Sequence, residues 1–199
     1  MAKIKLKGTG INTCGELPKI GSKAPDFVLT RTDLTDLSLA DVAGRMVVMN
    51  IFPSIDTAVC SMSVRTFNSR ITQFPNTVLL AVSLDLPFAH QRFCETEGIK
   101  NVIPASELRT RRFGDEYGLR IINGPMAGLL ARAVIVLDEK GVVRYTQLVP
   151  EIVQEPDYEA VFTVLKKMSA ETDSCRYSET PEQVRSTVMD EPCDDGRAG

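Results

Sequence analysis

"MVVMNIFPSIDTAVCSMSVRTFN", Met46–Asn68, passes from an apolar run into a helical pattern within 23 residues. Its first seven residues, Met46–Phe52, form a nearly unbroken apolar run between Arg45 and Pro53, the mark of a strand buried on both faces. Proline ends such a strand because it brings no ladder donor. Asp56 or Thr57 then caps a helix running to about Ile71, with Val59, Met62, Val64, Phe67 and Ile71 as its apolar positions. A buried strand feeding straight into a helix is the repeating unit of an α/β sandwich.

The flanking sequence extends this pattern. Val78–Leu84 ("VLLAVSL") and Ala133–Asp138 ("AVIVLD") are two further buried strands, and Gly141–Val149 returns antiparallel to the latter across the turn "DEKG". Lys3–Leu6 alternates charged and apolar residues before "GTG", the start of a short N-terminal β-hairpin. A strand is expected around Phe27–Thr30, then a short strand and one helical turn closing at Gly44. Helices are expected over Pro87–Glu97, stopped by Gly98, over Leu108–Tyr117, stopped by Gly118, and from Pro156 or Asp157 onward. The fold class is α/β, a mixed central sheet flanked by helices.

Domain organisation follows from apolar density. Residues 1–168 make one domain, and 169–199 read as an acidic, flexible tail that begins with the linker "SAETDSC". Thr180, Pro181 and Gln183 supply helix-start chemistry for one short helix within it. Eight acidic and three basic residues give the tail a net charge of −5, leaving the body at +2 and the chain at −3. No Lys/Arg cluster stands out, which argues against nucleic-acid binding. No segment is long and apolar enough for a membrane span, and "MAKIKLKGTG" lacks the apolar stretch of a secretory signal. A cytoplasmic location is the expectation, and there a disulfide is more often transient than structural.

The five cysteines, Cys14, Cys60, Cys94, Cys175 and Cys193, include no C-x-x-C pair, which disfavours a dithiol oxidoreductase. With His90 as the one histidine, neither a metal site nor any other cofactor is called for. Cys60 is distinguished by its place in the first turn of the expected helix, where unpaired N–H groups and the positive end of the macrodipole favour an anion. A free thiol of pKa about 8.5 is only a few per cent thiolate at neutral pH, and such surroundings raise that fraction. Position alone leaves two readings open, a reactive thiolate or a small buried hydrophobe, and the second is the commoner.

Pro53, Thr57 and Cys60 stand as P-x-x-x-T-x-x-C directly after the apolar strand. This resembles the active-site motif of the peroxiredoxins. Together with "DLPFAHQRFC", "GPMAGLLARAVIVLDEKG" and "EPDYEAVFTVLK", it is similar to their thiol peroxidase subfamily over roughly Lys3–Lys167. The resemblance implies a thioredoxin-like fold and an atypical two-cysteine peroxidase acting on hydrogen peroxide and organic hydroperoxides. Cys60 would attack the peroxide and become a sulfenic acid. Thr57 would orient the peroxide, Pro53 would shield the site, and Arg132 in "LLARAVIV" would hold the thiolate and polarise the O–O bond. Cys94 would resolve the sulfenic acid as an intramolecular Cys60–Cys94 disulfide after local unwinding, with thioredoxin or a similar dithiol as reductant. A homodimer is implied as well.

Other readings stand beside this one. A thiol-based redox sensor would use oxidation of Cys60 to signal to a partner, and an inert Cys60 would show ordinary thiol behaviour. Cys14 is expected in the hairpin without a reactive role, Cys175 and Cys193 as exposed tail thiols, and His90 at a surface position of its helix.

Overall fold

A computed structural model describes the backbone of residues 1–177 and the side chains through Glu171. Among the described residues, nine strands and four α-helices follow in chain order. The strands are β1 (Lys3–Leu6), β2 (Thr9–Asn12), β3 (Val28–Thr30), β4 (Asp36–Ser38), β5 (Met46–Ile51), β6 (Thr77–Ser83), β7 (Ile103–Ser106), β8 (Ala133–Leu137) and β9 (Val143–Leu148). The helices are α1 (Ala58–Arg70), α2 (Pro87–Glu97), α3 (Arg112–Glu116) and α4 (Tyr158–Tyr177). Seven strands form one mixed sheet in the order β4-β3-β7-β6-β5-β8-β9, as expected for a central sheet flanked by helices.

Strand β5 lies inside the sheet, parallel to β6 and antiparallel to β8, and every one of its residues is buried. Because side chains alternate across a strand, Val47, Met49 and Ile51 join Val78, Leu80 and Val82 of β6 on one face, with Phe113 and Tyr117 from the α3 region. Met46 and Val48 face the other way, against Phe67 and Ile71 of the α1 segment and Val161, Phe162 and Leu165 of α4. Asn50 shares that second face, which brings its amide under α1.

The hairpin β1–β2 closes through Lys7 (φ +50°) and Gly8 (φ +82°), both left-handed, as a two-residue hairpin turn requires. Its Ile4 and Ile11 pack into the core of the first face. The Glu151 carboxylate accepts the N–H groups of Lys7 and Gly8, each at 2.9 Å. Lys5 bonds on both sides, to Pro150 O at 2.7 Å and from Ile152 N–H at 2.9 Å, so the hairpin grips the segment after β9.

Several expectations are corrected. The apolar face of α1 is Cys60, Ser63, Val64 and Phe67, continued by Ile71, whereas Met62 is 46% exposed and Val59 is only half-buried. The helix expected over Leu108–Tyr117 shrinks to Arg112–Glu116, because Arg111 adopts a left-handed conformation (φ +56°) that separates it from the preceding turn. Gly118 does end that segment at φ +68°, and an added Cβ there would lie 2.3 Å from Glu16 O. Strand β7 was not expected: Pro104 argues against a sheet interior, but β7 meets β3 at the single pair Thr30–Ser106, leaving little ladder on that edge to interrupt. Helix α4 continues to Tyr177, through the residues read as a linker after Met168. The helix start expected at Thr180–Gln183, Cys193 and the side chain of Cys175 lie outside the described residues.

Candidate active site

The site forms where β5 ends. Phe52 N–H still bonds across to Val82 O at 3.1 Å, after which the buried Pro53 stops the ladder and the chain turns over Ser54–Asp56. Thr57 occupies the N-cap position of α1 with extended backbone (φ −105°, ψ 144°), and its carbonyl accepts Ser61 N–H at 3.0 Å. Its hydroxyl makes no capping bond. Instead Oγ1 lies 2.8 Å from Cys60 Sγ and 3.1 Å from Ser54 O. Cys60, the third residue of α1, is 0% exposed and packs with Phe52, Ile55, Val64 and Ala81. Asn50 and Ser63 fix this turn from beneath: Asn50 Nδ2 donates to Ser63 Oγ (3.1 Å), which donates to Cys60 O (2.8 Å).

Arg132 arrives by strand register. Antiparallel pairing of β8 with β5 sets Ala133 opposite Ile51, so the residue before Ala133 falls beside the strand end that leads to Pro53. Arg132 is 2% exposed. Its Nε donates to Ile152 O at 2.9 Å, Nη2 lies 3.4 Å from Cys60 Sγ, and Nη1 is buried with no hydrogen-bond partner. Among the described residues no carboxylate forms an ion pair with it, and such a buried cation is costly unless an anion stands nearby.

Thr57 and Arg132 are thus brought to the buried Cys60, Thr57 from an exposed position, with Pro53 buried at the strand end that leads to them. Cys94 lies apart, half-buried at the eighth position of α2, and Cys14, Cys60 and Cys94 are all free thiols. Desolvation, with a smaller contribution from Glu95, pushes the Cys94 thiol up to about 11. Helix α2 nevertheless borders the Cys60 cluster through Ala89 and Phe93. Two exposed ion pairs join the neighbouring segments, Arg65 to Glu97 at 2.8 Å and Arg92 to Asp56 at 3.0 Å. Cys14 lies just past β2 rather than in the hairpin, its thiol donating to Gly114 O at 3.5 Å.

His90 is not at the surface. It is 1% exposed, with Nε2 2.9 Å from Ser83 Oγ and its ring 6.2 Å from that of Phe52. Burial holds its pKa below the ordinary value, with Asp85 and Asp56 acting in the opposite sense. Asp85, which sequence reasoning missed, accepts Ser54 Oγ–H at 2.8 Å, Ile55 N–H at 2.7 Å and Ser83 Oγ–H at 2.7 Å. The pattern Ser83-x-Asp85 at the end of a buried strand was the available signal, since sites in open α/β sheets collect at carboxyl ends of strands.

The Redoxin family profile matches residues 19–162. A thiol peroxidase of Mycobacterium tuberculosis is 56% identical over 165 residues, covering 83% of this chain and 99% of that protein. The crystal structure of a peroxiredoxin-like protein from Aquifex aeolicus superposes with a TM-score of 0.80 at 38% identity, covering 84% of this chain and 98% of the other. A thiol peroxidase from Chromobacterium violaceum gives a TM-score of 0.79 at 22% identity, over 85% of this chain and 98% of that one, a likeness of fold.

Proposed function

The chain belongs to the Redoxin family and, within it, to the thiol peroxidases, and from that premise we propose that Cys60 is the thiol that attacks the hydroperoxide. The observation that carries this assignment is the buried Arg132 guanidinium, which has Nη2 3.4 Å from Cys60 Sγ and leaves Nη1 without a partner. A thiolate at Cys60 supplies the anion that the buried cation lacks, and Nη1 supplies a donor for a peroxide oxygen.

The Cys60 thiolate attacks one peroxide oxygen, the S–O bond forms, the O–O bond breaks, and hydroxide or alkoxide leaves and takes up a proton. Sulfur is oxidised by two electrons to the sulfenic acid and the peroxide is reduced by two. Thr57 Oγ1, 2.8 Å from the sulfur, and Arg132 are placed to stabilise charge that develops on both oxygens. Pro53, buried at the strand end, offers no competing N–H.

Cys94 then attacks the sulfenic sulfur. The S–S bond forms, the S–O bond breaks, and water leaves with the thiol proton. An S–S bond is about 2.05 Å long, and both cysteines are held in helices, Cys60 entirely buried, so this step requires local unwinding. An external dithiol such as thioredoxin reduces the disulfide by exchange, contributing two electrons and two protons. The same reading takes the working unit as a cytoplasmic homodimer, for which the exposed Leu86 (54%) and Phe88 (60%) beside the site offer apolar contact surface. Sedimentation equilibrium tests the dimer.

Peroxide consumption coupled to thioredoxin and its reductase tests the enzyme assignment. Cys60→Ser abolishes turnover, while Cys94→Ser reduces about one equivalent and stalls. Sustained turnover by Cys60→Ser would overturn it.

A further inference from the structure

The two segments that must unwind before a Cys60–Cys94 bond can form share an anchor outside the thiol pair and beyond the two surface ion pairs. Asp85, in the connection from β6 to α2, uses Oδ1 for Ser54 Oγ (2.8 Å) and Oδ2 for Ile55 N–H and Ser83 Oγ (2.7 Å each). Those contacts hold the loop that leads into Cys60. Ser83 Oγ is buried; it accepts Asp85 N–H at 3.1 Å and meets His90 Nε2 at 2.9 Å. A serine hydroxyl has one proton, and the carboxylate takes it, so His90 Nε2 must carry the proton in its contact with Ser83. His90 is one helical turn before Cys94. Ser106 Oγ, donating to Asp85 O, adds a tie from β7.

We propose that Asp85 is a positioning residue for both thiols: through Ser54 and Ile55 it latches the Cys60 loop, and through Ser83 and His90 the Cys94 helix, to the end of β6, so that opening of this latch sets the rate of disulfide formation. The proposal rests on the reading that Cys60 and Cys94 are the reacting pair. While the latch is closed, Cys60 keeps its place beside Thr57 and Arg132. When it opens, the two segments are released together rather than one by one.

Opening also exposes His90. The groups facing it are Asp85 and, from the loop before α1, Asp56, which Arg92 of α2 pairs at 3.0 Å. The closed latch holds the His90 pKa low, and opening returns it to an ordinary value of about 6.5. Closure is therefore fully favoured above that value and weakens as pH falls below it toward the depressed one.

Rapid-quench oxidation of the full chain, read by intact mass, separates thiol, sulfenic acid and disulfide. Asp85→Asn is expected to slow Cys60 oxidation about tenfold and to speed disulfide formation about tenfold. Ser83→Ala, which unties His90 but leaves Ser54 and Ile55 on Asp85, is expected to speed disulfide formation with the smaller effect on oxidation. Hydrogen exchange should rise in residues 54–57 and 88–95 together in Asp85→Asn. The ratio of the wild-type to the His90→Gln disulfide-forming rate should climb below about pH 6.5. Disulfide formation at the wild-type rate in both Asp85→Asn and Ser83→Ala would overturn the latch, as would a pH-independent ratio or loosening confined to one segment. A Cys94→Ser chain that forms no sulfenic acid would instead overturn the assignment of the thiols.

Discussion

Thr57 sits at the N-cap of α1, yet its Oγ1 is 2.8 Å from Cys60 Sγ and caps no backbone N–H. The hydroxyl has been diverted from the helix to the sulfur. Capping normally contributes roughly 1 kcal/mol, and that contribution is absent here. Thr57→Val should therefore leave the thermal midpoint within about 2 °C of wild type while slowing peroxide oxidation about 100-fold. Thr57→Ser should recover most of the rate. Stopped-flow oxidation beside a thermal melt checks both halves, and a large loss of stability with little loss of rate would reverse the interpretation.

Arg132 serves two directions at once, Ile152 O through Nε and Cys60 Sγ through Nη2. A lysine carries the charge as a single point and cannot span both. Arg132→Lys is expected to lose about 100-fold in the second-order rate constant for peroxide. Near-wild-type kinetics from the lysine variant would mean that charge alone suffices.

Cys94 gives a pH-dependent signature in the reduced protein. Burial pushes its thiol from 9.0 up to about 11, so the closed helix favours the protonated form. The stability tied to this group is fully present below pH 9, and is lost as pH rises toward about 11. Thermal melts of the reduced chain across that window should fall more steeply for wild type than for Cys94→Ser. At pH 8, mass-mapped alkylation of Cys94 should be slow compared with an unfolded control, and equal rates would contradict its burial.

The Arg65–Glu97 pair also bridges α1 and α2, with both side chains about a third exposed. Water and salt screen such a pair. Glu97→Gln should shift the melting midpoint by about 2 °C or less and leave steady-state turnover near wild type. A large acceleration of disulfide formation by Glu97→Gln would assign to this surface pair the control ascribed above to Asp85.

The elements legible in the sequence were those whose physics is local. Met46–Phe52 announced a central strand because both faces are apolar, and α2 was framed by Pro87 and by Gly98, whose φ is +63°. The face of α1 was misjudged because Cys60 was weighed for its chemistry and Ser63 is polar by type, yet both are buried, one in the site and one in the link to Asn50. Strand β7 hid behind Pro104. The Pro53–Thr57–Cys60 spacing lay in one stretch and could be read directly, but Arg132 reaches Cys60 by the β5–β8 register, 72 residues away in the chain. It was found through resemblance and not from its own surroundings. His90 and Asp85 escaped for a related reason: Ser83, the residue that joins them, belongs to strand β6 and not to the helix of His90 or the connection that holds Asp85.

The N-terminal hairpin reaches farther than its size suggests. Glu151 clasps its turn, Ile152 N–H bonds to Lys5 O, and the Ile152 carbonyl is the acceptor for Arg132 Nε. Ala2 N–H is itself bound to Gly15 O at 2.8 Å. The hairpin is thus the far end of a line of hydrogen bonds that finishes at the Arg132 guanidinium. Loosening a surface turn at the start of the chain would therefore lower peroxide turnover through the guanidinium, without any change at the thiols.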